Sequence, residues 1–276
     1  MGRQVTARRG RRPGRAPGWV IPLAVVGALL LVGPLVALLV RAPWSRMLAI
    51  ITGPVVPQAA GLSVGTAAIA TGLSVVLGVP LAAVLAGADG WPAPLRRLAR
   101  ALIITPLVLP PVVGGIALLL LLGRFGLLGA PLFTLFGVTV PFTTASVVIA
   151  QAFVGLPFLV LSVEGALRGV DARYPRAAVL LGAGPLTVFL RVTLPLAAPG
   201  LLAGTVLSFA RSLGEFGATI TFAGSLPGVT QTLPIAAYLS LSSDLDSAVA
   251  IAVVLVVVSA VVLISLRDKW LTGLRT

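Results

Sequence analysis

Six apolar stretches of membrane-spanning length recur along the chain and leave few folds open to it. About 20 consecutive apolar residues are needed to cross the hydrocarbon core of a bilayer as a helix. Only 10% of the residues are charged, against roughly 25% in soluble domains. The sequence therefore predicts an all-α membrane protein with six transmembrane helices, at residues 19–40, 60–86, 102–122, 144–163, 198–218 and 247–266.

The positive charges are distributed unevenly between the segments that connect these stretches. With the N-terminus inside, the cytoplasmic segments are 1–17, 87–100, 164–195 and 267–276. They hold sixteen of the twenty Lys and Arg residues, the external loops hold three, and one lies within a span. Because cytoplasmic loops of membrane proteins carry the excess of Lys and Arg, both termini are predicted to be cytoplasmic.

The chain divides into four predicted parts. Residues 1–17 form a basic cytoplasmic tail, 18–57 hold the first helix and an external loop, 58–266 form the main transmembrane domain, and 267–276 form a second tail. The first apolar stretch is longer than a signal-peptide core and no clear small-residue cleavage site follows it. It is therefore interpreted as an uncleaved helix, and the arginines before it as charges that set topology rather than a binding patch.

Several classes of function are excluded by the residue types. The chain has no Cys and no His, which excludes disulfides, thiolate zinc sites and His acid–base catalysis. The net charge of +13 does not indicate nucleic-acid binding, because the basic clusters lie between apolar runs without an aromatic platform. A phosphate-binding loop requires G-x-x-x-x-G-K-[ST], and the only lysine is Lys269. No cofactor or metal site is predicted in this chain, so energy must come from a separate ATPase or an ion gradient.

Proline and glycine interrupt the predicted helices and the loops between them. Pro80, Pro157 and the pair Pro110 and Pro111 lie within predicted spans, where neighbouring helices must satisfy the freed backbone groups. Kinks in a packed bundle are expected there. The external loop 223–246 contains a moderately apolar segment that is interpreted as an interfacial or re-entrant helix. The external loops together are the candidate surface for an external partner.

The segment 164–197, here named the docking segment, has a helical pattern that ends at glycines. Gly182 and Gly184 interrupt it, and Pro185 is suited to the first position of a second short helix, which must stop before Pro195. Such an elbow suits docking into a groove of a soluble partner, and the pattern is equally compatible with a loop that rests on its own bundle. The residues predicted to share one helical face are Val170, Tyr174, Ala177, Ala178 and Leu181.

The stretch 198–218 carries two charges within an otherwise apolar span. A charged residue at the centre of a transmembrane helix costs roughly 2.5–3.5 kcal/mol on insertion scales, so such residues mark pathways by default. Two interpretations stay open: a translocation pathway or gate, or a pair of charges that neutralise each other and hold helices together. The residues predicted to share one face of this helix are Ser208, Arg211, Ser212, Glu215 and Thr219.

The docking segment resembles the permease signature of binding-protein-dependent ABC importers, E-A-A, three residues, Gly, nine residues, Ile-x-Leu-Pro. Arg176 stands where the family usually has Glu, and Val192 replaces Ile. The resemblance implies the type I importer permease fold and a segment that inserts into an ATP-hydrolysing subunit. The residues that it assigns to this coupling are Tyr174, Ala177, Ala178, Leu181, Gly182, Leu194 and Pro195.

Three further strings, ARSLGEFGATITFAG, TQTLPIAAY and PLVLPPVVGGIALL, resemble the oxyanion branch of this family, and molybdate permeases most closely. The resemblance covers residues 58–266. It implies a homodimer in the membrane with two ATPase subunits, which bind ATP and Mg, and an external molybdate-binding protein, with tungstate tolerated. The alternatives are a sulfate or thiosulfate permease, a secondary transporter driven by an ion gradient, and, least favoured by the residue types, a membrane enzyme.

Overall fold

The computed structural model describes residues 19–272, without the side chains of residues 263 and 265–272. Every regular element within the described residues is a helix, which confirms the all-α prediction. The predicted basic tail, 1–17, lies outside the described residues. The last helix runs on to Thr272 and so extends into the segment predicted as a C-terminal tail.

The described part of the chain forms two compact units, which divide between Ala42 and Pro43. In the first unit the described residues form helix α1, Val20–Arg41, which has no buried residue. Its length and apolar composition suffice to cross a membrane. The helix predicted at 19–40 is therefore present.

Three long apolar helices form the frame of the second unit. The predicted spans at 60–86, 144–163 and 247–266 each lie within one of them, and each is apolar enough to cross a membrane. Pro80 and Pro157 lie inside helices that continue past them. These helices are α3 (Val55–Ala86), α7 (Thr144–Gly169) and α14 (Leu245–Thr272).

The stretch predicted as a span at 102–122 is divided between two helices, and the break falls at Pro110 and Pro111, where a kink was predicted. Helix α4, Ala93–Val108, and helix α5, Pro111–Leu122, meet at an angle of 115°. Leu109 and Pro110 between them have extended backbone, because a residue before proline avoids the helical region. Pro111 then begins α5, where its missing N–H leaves no helical bond unmade.

The stretch predicted as a helix at 198–218 is also divided. Helix α11, Ala198–Leu213, ends at a short non-helical segment, and helix α12, Gly217–Ala223, follows it. We name residues 214–216 the helix break. The predicted continuous helix is therefore wrong at its C-terminal end, where the charged residues lie.

Between α7 and α11 the chain folds into short helical pieces with one wide turn. Helix α8 is Arg173–Leu180, helix α9 is Pro185–Val188, a π-helical turn covers Phe189–Thr193, and helix α10 is Leu194–Leu196. The second short helix was predicted to stop before Pro195, and this is wrong. The π turn widens the backbone, so that helical geometry continues through Pro195 without the usual clash of its ring.

The remaining α-helices lie in the predicted external loops: α2 (Met47–Thr52), α6 (Gly129–Phe136) and α13 (Leu233–Ser240). Helix α13 is packed inside the unit against α3 and α14, rather than along an interface, because Leu233 and Ile235 are fully buried. Ser63 on α3 accepts a hydrogen bond from the Leu233 N–H at 2.7 Å, which anchors the start of the helix.

Helices α7 and α11 approach each other along a seam of small residues. Gly200, Gly204, Ser208 and Ser212 recur at every fourth position of α11 and so lie on one face. A Cβ at Gly200 would lie 2.2 Å from the Ala166 Cβ, and one at Gly204 would lie 2.9 Å from the Ser162 Cβ. Because only glycine permits this distance, the seam fixes α11 against α7.

Candidate functional site

The docking segment presents an apolar surface outside the core. Leu180 and Leu181 are 88% and 89% exposed, and Tyr174 and Ala177 are exposed as well. Ala178 is half-buried. Four of the five residues predicted to share a face lie on α8 or at its end, but Val170 does not.

Val170 ends helix α7 instead, and the chain turns through Asp171 before α8 begins. Its place on the predicted face is therefore wrong. Arg173 donates to Asp171 Oδ2 at 2.6 Å, and the Arg173 N–H donates to Oδ1 at 2.9 Å. These hydrogen bonds lower the pKa of the Asp171 carboxyl below its ordinary value and stabilise the turn at neutral pH.

Gly182 sets the angle of the elbow after α8. Its φ is +86°, a left-handed conformation that L side chains rarely adopt. Its N–H donates to the Val179 carbonyl at 2.9 Å, and the Ala183 N–H donates to the Ala178 carbonyl at 3.0 Å, which ends the helix. The elbow thus depends on the backbone of Gly182, with no atom near the position of a Cβ.

The last two predicted coupling residues are not part of the exposed face of α8. Leu194 packs against the core cluster that contains Leu159 and Ala197, while Pro195 is exposed. Leu194 therefore fixes the base of the docking segment to the bundle. The residues of the permease signature therefore lie in two places. One group lies on the exposed helix α8, and Leu194 anchors the segment to the bundle.

The helix break holds a buried carboxylate beside a partly exposed guanidinium. Glu215 is 1% exposed, and its Oε1 accepts a hydrogen bond from the Ala218 N–H at 2.8 Å, in the first turn of α12. Arg211 Nη1 lies 2.7 Å from Glu215 Oε2, and the Arg211 side chain is 30% exposed. A buried charge needs such a partner, since without one it is strongly destabilising.

The five residues predicted to share one helical face are divided among two helices and the break. Ser208 and Ser212 are buried in the seam, and Ser212 donates to the Gln151 carbonyl of α7 at 3.1 Å. Thr219 is buried on α12. The single face is therefore wrong: Arg211 alone among the five keeps an exposed surface.

Helix α12 is seated closely on α5. A Cβ at Gly217 would lie 2.6 Å from the Pro111 Cβ, and one at Gly115 would lie 2.8 Å from the Ala218 carbonyl oxygen. The start of α12, which Glu215 caps, therefore contacts the start of α5. Any displacement of α5 must move the helix break or open this contact.

Two groups of polar residues were missed by the sequence reasoning. Glu164 is buried in α7 and paired with Arg168, and the spacing of four residues was the available signal. Arg46 pairs with Asp246 at 2.9 Å, and no local signal joins these two positions. Among residues 19–272, no group of three or more His, Cys, Asp or Glu side chains could hold a metal ion.

Comparison with known proteins shows which family and which relatives this chain resembles. The profile of the family described as the inner membrane component of binding-protein-dependent transport systems matches residues 78–271. The "Molybdenum transport system permease protein ModB" of Mycobacterium tuberculosis is 53% identical over 264 residues, which cover 96% of this chain and 98% of that protein. The protein of the same name from Escherichia coli K12 is 42% identical over 178 residues, covering 64% and 78%.

A similar fold occurs in a solved structure of much lower sequence identity. The chain superimposes with a TM-score of 0.67 and 14% identity on a bacterial ABC transporter for the import of alginate, covering 91% of this chain and 95% of that one. At this identity the likeness concerns the fold. The family match over most of the chain, together with the 53% identical relative, shows that the protein belongs to the family of inner membrane components of binding-protein-dependent transport systems, and that it is a multi-pass membrane protein.

Proposed function

We propose that the chain is the permease subunit of an ATP-driven importer that carries molybdate across the cell membrane, with tungstate accepted. The observation that carries the proposal is the 53% identity over nearly the whole length of a relative named as a molybdenum transport permease. The match covers 96% of the chain and so extends across both the helix break and the docking segment. The subunit itself transfers no chemical group.

The helix break supplies the chemistry that an oxyanion pathway needs. Arg211 offers a partly exposed side chain, whose guanidinium can donate hydrogen bonds to an oxyanion, while Glu215 neutralises part of its charge. Conduction requires a site that binds weakly enough to release its ion. A cation balanced by a neighbouring carboxylate meets this requirement better than a free one, so the pair serves as a gate residue and its counter-charge.

The docking segment supplies the contact with the ATPase. Its exposed leucines and Tyr174 offer an apolar helix to a groove in a soluble subunit, and Gly182 holds the angle. In this proposal ATP and Mg bind to that subunit. Since one chain offers one docking segment, two copies around a two-fold axis engage two ATPase subunits.

The proposed arrangement has six spans and both termini in the cytoplasm. Four helices have the required length and composition, and each bent helix pair supplies one further span. The bent pairs are α4 with α5 and the segment 185–196 with α11. The external loops then face the molybdate-binding protein.

Uptake of labelled molybdate at trace concentration, with excess sulfate present, tests the substrate. Cells that lack the chain should lose this uptake, and the gene should restore it. If uptake is unchanged in those cells and labelled sulfate uptake is lost instead, the chain is a sulfate permease. If neither anion is affected, the oxyanion proposal is wrong.

A further inference from the structure

One carboxylate near the C-terminal end of α7 is bound by arginines from two helices. Glu164 is 5% exposed. Its Oε1 accepts a hydrogen bond from Arg168 Nε at 3.0 Å, and the same oxygen accepts one from Arg100 Nη2. Because Arg100 belongs to α4, a single oxygen atom joins α4 to α7.

Arg168 extends this network to the end of α3. Its Nη2 donates to the Leu85 carbonyl at 2.9 Å, and its Nη1 lies 3.2 Å from Asp89 Oδ1, in the turn that follows α3. The last carbonyls of a helix need such partners. We name Asp89, Arg100, Glu164 and Arg168 the ionic clamp. It lies at the C-terminal end of α7, where the docking segment begins.

The ionic clamp joins helices that are buried to different extents. Helices α3 and α7 are also joined by a buried apolar cluster that includes Leu85, Leu159 and Val163. Helix α4 has no buried residue. Its Ala99 and Ile103 pack, partly buried, against this cluster, and a cavity of about 110 Å³ lies beside Arg100 and Glu164. Arg100 with Glu164 is the ion pair between α4 and α7, and Arg96 on α4 also lies 3.9 Å from Asp89. Helix α4 is therefore less deeply buried than the two helices that it contacts.

Helix α4 is the first part of a continuous path to the helix break. It leads through Leu109 and Pro110 into α5, whose start contacts α12 at Gly217. Glu215 caps the start of α12 and pairs with Arg211. A shift of α4 relative to α7 must therefore reach the gate residues through α5.

We propose that Glu164 is a positioning residue for transport, which couples movement of the docking segment to α4 and so to the helix break. The inference rests on the proposed function, since it requires that the docking segment moves with an ATPase. Coupling of this kind needs an element with two arrangements, and we assign that role to α4, which has no buried residue and lies beside a cavity. Without Glu164, hydrolysis continues but is no longer converted into movement at the gate.

The test uses the assembled transporter, with its ATPase and binding protein, in lipid vesicles. The measured quantity is molybdate accumulated per ATP hydrolysed, together with the amount of ATPase that co-purifies. E164Q and R100Q should each retain the ATPase and lower this ratio about tenfold, a value within the range of coupling free energies between sites. The double variant should lower the ratio no further than E164Q alone, because E164Q already removes the contact with Arg100.

A matched control comes from the same helix. Arg97 is exposed on α4, so R97Q removes the same charge without touching the clamp, and its ratio should equal that of the wild type. A wild-type ratio in R100Q and E164Q overturns the proposal. A loss of assembly that fully accounts for the lost transport in both variants also overturns it, since the clamp would then be structural only. A wild-type transporter that hydrolyses ATP without moving molybdate instead contradicts the proposed substrate, and the same ratio is then measured with sulfate.

Discussion

At the scale of single residues, the pair Arg211 and Glu215 combines a structural and a proposed transport role, and a double substitution separates them. R211Q alone leaves a buried carboxylate unpaired and should lower stability by about 3–5 kcal/mol. R211Q with E215Q removes both charges and should recover most of this stability, seen as the thermal unfolding midpoint of the purified protein. The rate of molybdate uptake should stay at least about tenfold below wild type, which corresponds to a rise of roughly 1.4 kcal/mol in the free-energy barrier to transport. Recovery of uptake in the double variant would show that the pair is structural only.

Gly182 allows a second test at this scale because Gly184 offers a control two residues away. G182A places a side chain at a φ of +86°, which costs about 1–2 kcal/mol and should change the angle of the elbow. Co-purification of the ATPase should fall, while the thermal unfolding midpoint of the bundle should stay near wild type. Gly184 has a φ of −70° and open space around it, so G184A should bind the ATPase normally. Equal binding by both variants would refute the role of Gly182 in docking.

At the scale of elements, the seam between α7 and α11 fixes the helix that ends at the proposed gate. A methyl group at Gly200 would meet the Ala166 Cβ at 2.2 Å, so G200A should destabilise the unit by about 1–3 kcal/mol. Gly165 lies in α7 with nothing within 4 Å, and G165A should be neutral or stabilising by about 0.5–1 kcal/mol, because alanine favours a helix interior. Thermal unfolding in detergent measures both. An unfolding midpoint for G200A at or above that of G165A would contradict the close approach.

At the scale of the whole molecule, the absence of cysteine from the sequence makes the orientation directly measurable. F125C and L181C place single thiols at exposed positions, the first in a loop predicted to be external and the second in the docking segment. A membrane-impermeant maleimide should label F125C in intact spheroplasts, and L181C only after the membrane is opened. The positive-inside distribution predicts this pattern. Labelling in the reverse order would place the docking segment outside and exclude its contact with a cytoplasmic ATPase.

The sequence alone predicted the parts of the fold that depend on composition and local pattern. The long helices α3, α7 and α14 follow from apolar length, because the bilayer requires each span to satisfy its own backbone. The exposed face of α8 and the elbow at Gly182 follow from local spacing and from the special conformation of glycine. The family also follows from local sequence, namely the permease signature in the docking segment and the three strings that resemble the oxyanion branch.

The tertiary structure alone decided where α11 ends at the helix break and which charges meet. The helix break lies where α12 packs closely on α5, at Gly217 against Pro111, and Glu215 then caps the helix that this contact positions. The partners of the ionic clamp, Arg100 with Glu164 and Arg168 with Asp89, are 64 and 79 residues apart in the chain. No local pattern joins such positions. Hydropathy therefore determined what enters the membrane, whereas packing between distant helices determined how the charged residues are held there.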